Sequence, residues 1–116
     1  MDELSAEQVA ALRARLEARL AELADLTDAS AESRRPVELD QVAVGRLSRM
    51  DAMQMQAMAK ASERRRAQEA TRIRAALARM AEGEYGYCAK CGEPIAPKRL
   101  EIDPTVPTCI SCASGR

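Results

Sequence analysis

The sequence predicts a mainly α-helical chain, in which a long antiparallel helical hairpin, or coiled coil, over residues 1–84 precedes a small four-cysteine domain over residues 85–116. The hairpin is predicted from composition, because the chain has no Phe and no Trp and 31% of its residues are charged. Such a chain cannot fill a large globular core, but its Ala, Leu, Arg and Glu suit long paired helices. The small domain is predicted because all four cysteines fall within residues 88–112.

The first helix is predicted to begin at Ser5 and to end near Ser33. Ser5 and Gln8 have the spacing of a capping box, in which each side chain bonds to the backbone N–H of the other residue. Pro36 prevents the helix from continuing. Apolar residues at spacings of three and four give the helix one buried stripe, made of Val9, Leu12, Leu16, Leu23 and Leu26.

The second helix is predicted to begin at Asp40, with an irregularity at Gly45, and to end at Gly83. The connection between the two helices places the hairpin tip near residues 34–47. Residues 61–70 offer mostly alanine and charge to the seam, so we expect them to be the least stable part of the hairpin. The apolar seam of this helix is predicted to consist of Leu47, Met50, Met58, Ile73, Leu77 and Met80.

Charge is balanced overall but unevenly distributed. The 18 basic and 18 acidic residues leave no formal net charge, so the chain as a whole has no electrostatic attraction to nucleic acid. Residues 1–32 carry eight acidic and three basic side chains, a net of −5, and residues 60–79 carry seven basic and two acidic ones, a net of +5. Antiparallel pairing places these segments side by side, where surface ion pairs are weak. The alternative is that the basic residues form a phosphate or partner site, since the three arginines 64–66 cannot all face one helix.

Four methionines, Met50, Met53, Met55 and Met58, crowd the second helix. Met residues at helical spacing usually fill gaps in a seam. Exposed clusters of them form adaptable binding surfaces instead. The sequence leaves both interpretations open.

The four cysteines form two C-x-x-C pairs, Cys88 with Cys91 and Cys109 with Cys112, separated by seventeen residues. This spacing is typical of a structural zinc site with four thiolate ligands. Gly92 follows the second cysteine and can adopt the tight turn that such a knuckle needs. The sequence therefore predicts a zinc finger with one zinc ion.

Other uses of the cysteines are weaker. The acidic start, residues 1–3, followed by no apolar run, predicts no signal peptide and hence a cytoplasmic protein, where disulfides are rare. Nothing approaches the ~20 apolar residues of a membrane span. The chain has no histidine to serve as the base of a catalytic thiol, so we expect no enzyme activity. Iron in place of zinc is not distinguished by spacing.

A set of residues in the small domain matches the pattern of a known family. They are Gly86, Tyr87, Cys88, Cys91, Gly92, Ile95, Arg99, Leu100, Glu101, Pro104, Cys109, Ile110 and Cys112. With the helical hairpin before them, they resemble the DksA/TraR family of bacterial transcription regulators. The resemblance implies a protein that binds RNA polymerase directly, inserts the hairpin tip into the secondary channel, and does not itself bind DNA. We expect it to be a monomer.

The resemblance also suggests acidic residues at the tip. The family's Asp-x-x-Asp-x-Ala motif is absent, and a gap-free count places its positions on Gly45, Ser48 and Met50. The acidic residues near the predicted tip are Glu38, Asp40 and Asp51.

Two arginines carry a further implication of the resemblance. The same count places Arg65 and Arg72 where basic residues of the family help to bind the nucleotide ppGpp. Four residues follow the last cysteine here, where larger members continue as a helix.

Two hypotheses from other classes remain open. One is a nucleic-acid-binding zinc ribbon that uses Lys90, Lys98, Arg99 and the arginines 64–66. The other is a redox sensor in which oxidation of the thiols ejects zinc.

Overall fold

The computed structural model describes residues 4–31 and 46–115, and it confirms the predicted fold class. These residues form two long helices, α1 (Ala6–Ala29) and α2 (Arg46–Glu82), and two short ones, α3 (Pro97–Ile102) and α4 (Ile110–Ala113). No described helix combines the length and the apolar composition needed to cross a membrane.

The start of α1 confirms the predicted capping box. The Ser5 N–H donates to Gln8 Oε1 at 2.7 Å, and the Gln8 N–H donates to Ser5 Oγ at 3.1 Å. The helix ends at Ala29, about four residues before the predicted end. The Ser30 hydroxyl donates to the Thr27 carbonyl at 3.2 Å. In a continuing helix, this carbonyl would accept a backbone N–H from the next turn instead.

The end of α2 is a Schellman motif. Gly83 has a φ of 78°, its N–H bonds to the Met80 carbonyl at 3.2 Å, and the Glu84 N–H bonds to the Arg79 carbonyl at 2.9 Å. The predicted end at Gly83 is therefore confirmed. The predicted start at Asp40 and the irregularity at Gly45 lie outside the described residues.

The chain divides into two compact units. One holds Met1–Ala21 with Ala70–Arg116, and the other holds Glu22–Glu69. The first unit thus joins the beginning of α1 and the end of α2 to all of residues 85–116. The predicted division into 1–84 and 85–116 follows chain order and stays a prediction.

The core of the first unit combines residues from both long helices and from the finger region. Three side chains in it, Ile73, Ile95 and Leu100, are at most 1% exposed. The predicted stripe is confirmed here at Leu12, Leu16 and Ile73, whereas Leu77 and Met80 are half-buried. The other buried residues of this unit are Ala70, Ala76, Tyr85, Gly86, Cys88, Pro104 and Thr105.

In the second unit, polar contacts join α1 to α2 at the level where the apolar seam is poor. The Thr27 hydroxyl donates to the Glu63 carboxylate at 3.0 Å. Arg66 pairs with the same carboxylate at 3.0 Å and donates to Ser30 Oγ at 2.8 Å. Leu23, one turn before Thr27 on α1, is buried. Leu26 is 43% exposed, so its predicted place in the apolar stripe is wrong.

The four methionines near the beginning of α2 do not form a seam. Met50, Met53, Met55 and Met58 are between 49% and 70% exposed, so the predicted burial of Met50 and Met58 is wrong. The reason is the end of α1: Thr27, two residues from that end, already contacts Glu63. The α2 residues before about 60 therefore have no described α1 residue beside them. The side chain of Leu47 lies outside the described residues.

Candidate metal centre

The four cysteine sulfurs are gathered in one place. The Sγ atoms of Cys88, Cys91, Cys109 and Cys112 all lie within 4.8 Å of one another, and those of Cys91 and Cys109 are 3.7 Å apart. Four thiolates at about 2.3 Å around a tetrahedral zinc ion are about 3.8 Å apart. The four sulfurs are not joined in disulfides, so their arrangement fits one zinc ion.

The first knuckle positions its sulfur through the backbone. The Cys88 N–H bonds to the Glu93 carbonyl at 2.8 Å, and the Gly92 N–H bonds to the Cys88 carbonyl at 2.9 Å. These bonds turn the chain so that the N–H groups of Lys90 and Cys91 point at Cys88 Sγ, at 3.4 and 3.5 Å. The Cys91 N–H, above all, lowers the pKa of the Cys88 thiol to about 6, which favours the thiolate that a metal binds.

The second knuckle is built on a helix end. Cys109 is the N-cap residue of α4, and Cys112 lies within that helix. The Ala113 N–H bonds to the Cys109 carbonyl at 3.0 Å, which closes the turn between the two cysteines. A hydrogen bond with the Cys109 thiol raises the pKa of Cys112 to about 12. The Cys112 thiol therefore keeps its proton at neutral pH until a divalent cation replaces that proton.

Several hydrogen bonds hold the two knuckles together. The Ala89 N–H bonds to the Pro107 carbonyl at 2.8 Å, which links the first knuckle to the segment before the second. Arg99 Nε donates to the Thr108 carbonyl at 3.1 Å, next to Cys109. The four ligands are thus placed by α3 and its flanking loops as well as by the two turns.

Tyr85 stabilises the finger through a buried ring and one hydrogen bond. Its ring is buried, and its hydroxyl donates to the Pro104 carbonyl at 2.8 Å. Burial raises the pKa of Tyr85 to about 12, against the opposing charge of Arg79, so the hydroxyl remains a donor at neutral pH.

The finger also contacts the beginning of α1. Arg15 Nη1 donates to the Glu101 carbonyl at 2.9 Å, which ties α1 to α3. A small groove of about 190 Å³ runs between these two helices. Leu4 lines this groove and lies beside Gly86, whose φ is 93°.

Gly86→Ala should destabilise the finger more than Gly83→Ala. Both glycines have positive φ, and an L-residue there costs about 1–2 kcal/mol. A Cβ on Gly86 would also lie 3.3 Å from Leu4 Cδ1, whereas a Cβ on Gly83 would meet nothing within 4 Å. Denaturation of the two zinc-loaded variants measures the difference. Equal losses of stability would show that Leu4 yields without cost.

The other predicted site residues are separate from the cysteines. Asp51 is exposed on α2, and Glu38 and Asp40 lie outside the described residues. Arg65 is exposed and donates to Ser62 Oγ at 2.9 Å. Arg72 is exposed as well, and the two arginines belong to different compact units.

The basic residues of the ribbon hypothesis are used unequally. Lys90 and Lys98 are exposed, but Arg99 is half-buried and bonds to the Thr108 carbonyl. Arg99 therefore helps to build the finger.

Sequence reasoning missed Tyr85, Arg15 and Arg79 as residues of this region. Tyr85 was visible as one of two tyrosines beside the first knuckle, but its hydroxyl partner lies nineteen residues away. Arg15 contacts a residue eighty-six positions away, and no local pattern indicates such a contact.

Comparison with known proteins agrees with this geometry. Residues 83–116 match the family model described as the prokaryotic dksA/traR C4-type zinc finger. The RNA polymerase-binding transcription factor DksA of Haemophilus influenzae is 44% identical over 41 residues, which cover 35% of this chain and 28% of that protein. The protein of the same name from Caulobacter vibrioides is 51% identical over 35 residues, 30% of this chain and 25% of that protein. The match therefore spans less than a third of either relative.

The fold has a solved counterpart. The structure of transcription factor DksA2 from Pseudomonas aeruginosa matches with a TM-score of 0.76, over 96% of this chain and 84% of that chain, at 24% sequence identity. A likeness at this identity concerns the fold alone. The finger match and the four clustered sulfurs together identify a site for one zinc ion on Cys88, Cys91, Cys109 and Cys112.

Proposed function

We propose that the chain regulates bacterial transcription by binding RNA polymerase directly, because residues 83–116 match the family model of the prokaryotic dksA/traR C4-type zinc finger. The observation that carries the proposal is the finger itself, which is the part shared with two proteins named RNA polymerase-binding transcription factor DksA. Zinc has a structural role in this proposal, since four thiolates leave no open position for a substrate.

The helices suit a protein that reaches into a channel. With 37 residues, α2 is about 55 Å long at 1.5 Å per residue. The finger is packed on the beginning of α1 through Arg15 and Leu4. We propose that the hairpin tip enters the secondary channel of the polymerase, while the finger and the adjoining helix ends provide the grip.

The tip is proposed to act through charge. Asp51 is an exposed carboxylate near the described beginning of α2, and Glu38 and Asp40 precede it in the sequence. A carboxylate close to the catalytic metal ions of a polymerase changes the local field without contributing much to binding. The tip acids are therefore assigned to regulation and the finger to affinity.

The remaining features are finer parts of the same proposal. Arg65 and Arg72 would contribute to a ppGpp site when the protein is bound to the polymerase. Both side chains are exposed, and they lie seven residues, or two turns, apart on α2. The protein acts as a cytoplasmic monomer, with no enzymatic activity and no direct sequence-specific contact to DNA.

Neutralising the tip acids should separate regulation from binding. We expect the triple variant Glu38→Gln, Asp40→Asn, Asp51→Asn to bind polymerase core within about twofold of the parent and to lose its effect on promoter transcription. Asn is also a good helix cap, so Asp40→Asn should not disturb a helix start. The measurements are a polymerase pull-down and a single-round transcription assay.

Binding to promoter DNA alone is the control. If the parent is retained on DNA at physiological salt and not on polymerase, the nucleic-acid-binding ribbon is correct and the present proposal is wrong. A triple variant that still regulates like the parent would show that the tip has no acidic role.

A further inference from the structure

In the second unit, the side of α2 that faces away from α1 carries apolar side chains followed by basic ones. Glu63 and Arg66 bond to α1, so they mark the side of α2 that is already occupied. A helix turns about 100° per residue, which places the opposite side near the direction of Met50. The outward face is defined by the exposed methionines and basic residues of this unit within about 80° of Met50. They are Met50, Met53, Met58, Lys60, Arg64 and Arg65.

The first part of the outward face is apolar. Met50, Met53 and Met58 are 59%, 49% and 64% exposed, and they follow one another over about 12 Å of helix. Single exposed apolar side chains are common on protein surfaces, whereas several on one side of a helix mark an interaction site. Methionine suits such a site because its unbranched, polarisable side chain adapts to the surface that it meets.

The second part of the outward face is basic. Within residues 4–31 and 46–115, Lys60 and Arg64 form neither a hydrogen bond nor an ion pair. Arg65 donates to the Ser62 hydroxyl at 2.9 Å and has no ion pair there. The acidic residues of α2 in this unit lie about 100° or more from Met50, so no carboxylate shares the face. Three cations without a counter-charge attract a partner that carries anionic groups.

The arrangement of the two parts favours a protein partner. A nucleic acid backbone would match the three cations, but phosphates and sugars offer no apolar surface to three methionines. A helix that lies on a membrane has its apolar and basic residues on opposite sides. Here they share one side and follow one another along the axis, and α2 has no aromatic residue. A protein surface with carboxylates beside an apolar patch fits both parts.

A second copy of the chain fits only the basic part. The acidic residues at the end of α1 are Glu22, Asp25 and Asp28, which span about 9 Å. The outward face is about 22 Å long from Met50 to Arg65, so a second copy paired through these acids would leave the methionines exposed. Such a contact also falls short of the ~800 Å² per partner that a stable interface buries.

We propose that the outward face of α2 docks on a surface of the polymerase that places carboxylates beside an apolar patch. This inference rests on the proposed function and adds a contact to those assigned to the finger and the tip acids. The methionines supply affinity through buried apolar area. The basic residues, which remain near solvent, supply orientation and a salt-dependent rate of association.

The first test replaces methionines in the zinc-loaded, full-length protein. The double variant Met50→Gln, Met53→Gln keeps side-chain length and helix propensity but removes apolar surface. We expect it to weaken polymerase binding by about tenfold or more. Met55→Gln is the matched control, because Met55 is 70% exposed but lies about 140° around the helix from Met50. It should change the affinity by less than about twofold.

The second test replaces the arginines. We expect Arg64→Gln, Arg65→Gln to weaken polymerase binding by about fivefold at low salt and to reduce the loss of affinity that added salt causes in the parent. Arg74→Gln, at an exposed arginine of the same helix, is the control and should leave the salt dependence unchanged.

The remaining measurements identify the occupant. If both double variants bind polymerase like the parent, the inference is wrong and the proposed function stands. Equal losses for Met55→Gln and for the methionine double variant would overturn the assignment to one face. The assignment to the polymerase would also be overturned by parental dimers in sedimentation that the arginine double variant lacks, or by parental binding to phosphatidylglycerol vesicles that the methionine double variant lacks.

Two further outcomes separate this inference from the rest of the molecule. A lower melting temperature of the free methionine double variant would show that this chain itself covers the face, and the inference would be wrong. A parent that does not bind polymerase would refute the proposed function and, with it, this partner.

Discussion

Removal of zinc is expected to unfold residues 85–116 while much of the helix content remains. The finger has two helices of six and four residues, which are too short to persist alone. Its backbone is held mostly by turns, and the four cysteines close the loops between them. Metal binding is therefore a large part of the folding free energy here, about 10–16 kcal/mol in comparable zinc-finger peptides. The capped helix α1 and the polar contacts of the second unit do not include the metal.

The measurement combines a chelator titration with circular dichroism and amide NMR. Finger signals, including those of Ile95 and Leu100, should collapse before the α1 and α2 signals, and added zinc should restore them. Cys112→Ser should have the same effect without a chelator. Ser111→Ala, at an exposed neighbouring position, is the matched control and should retain one zinc per chain. A finger that stays folded in the metal-free state would contradict the expectation.

Local features of the fold were predictable because neighbouring residues determine them. Ser5 with Gln8 specifies a helix start by spacing alone, and Gly83 specifies an end because it tolerates positive φ. The cysteines are similar, since each C-x-x-C turn positions its own pair. Joining the two pairs in one site required only the preference of zinc for four thiolates.

The features that sequence reasoning missed depend on where one helix ends beside another. Met50 and Met58 have seam periodicity, but α1 stops at Ala29 and leaves them exposed. Periodicity gives the direction of a side chain and does not show whether a partner is opposite it. The burial of Arg79 Nη2 without a hydrogen-bond partner shows the same limit, because it is a property of the folded chain.

The second large expected effect is a loss of stability when the buried Leu100 of α3 is truncated, compared with the exposed Ile102 of the same helix. Leu100 is completely buried, and Ile102, two residues later on the same short helix, is 85% exposed. Leu100→Ala should therefore lower the free energy of unfolding of the zinc-loaded finger by about 2–5 kcal/mol, since a cavity remains where the side chain was. Ile102→Ala should change it by less than about 0.5 kcal/mol.

The mechanism predicts more than a loss of stability for Leu100→Ala. Leu100 precedes Glu101, whose carbonyl binds Arg15, and follows Arg99, which holds the segment before Cys109. Because α3 connects the two knuckles, its destabilisation should also weaken zinc binding and loosen the finger from α1. The measurements are zinc release to a competing chelator and hydrogen exchange of the finger amides, compared with Ile102→Ala. If both variants released zinc at the parental rate, α3 would be a passive connection. The grip proposed for the finger would then depend on the metal alone and not on the core around Leu100.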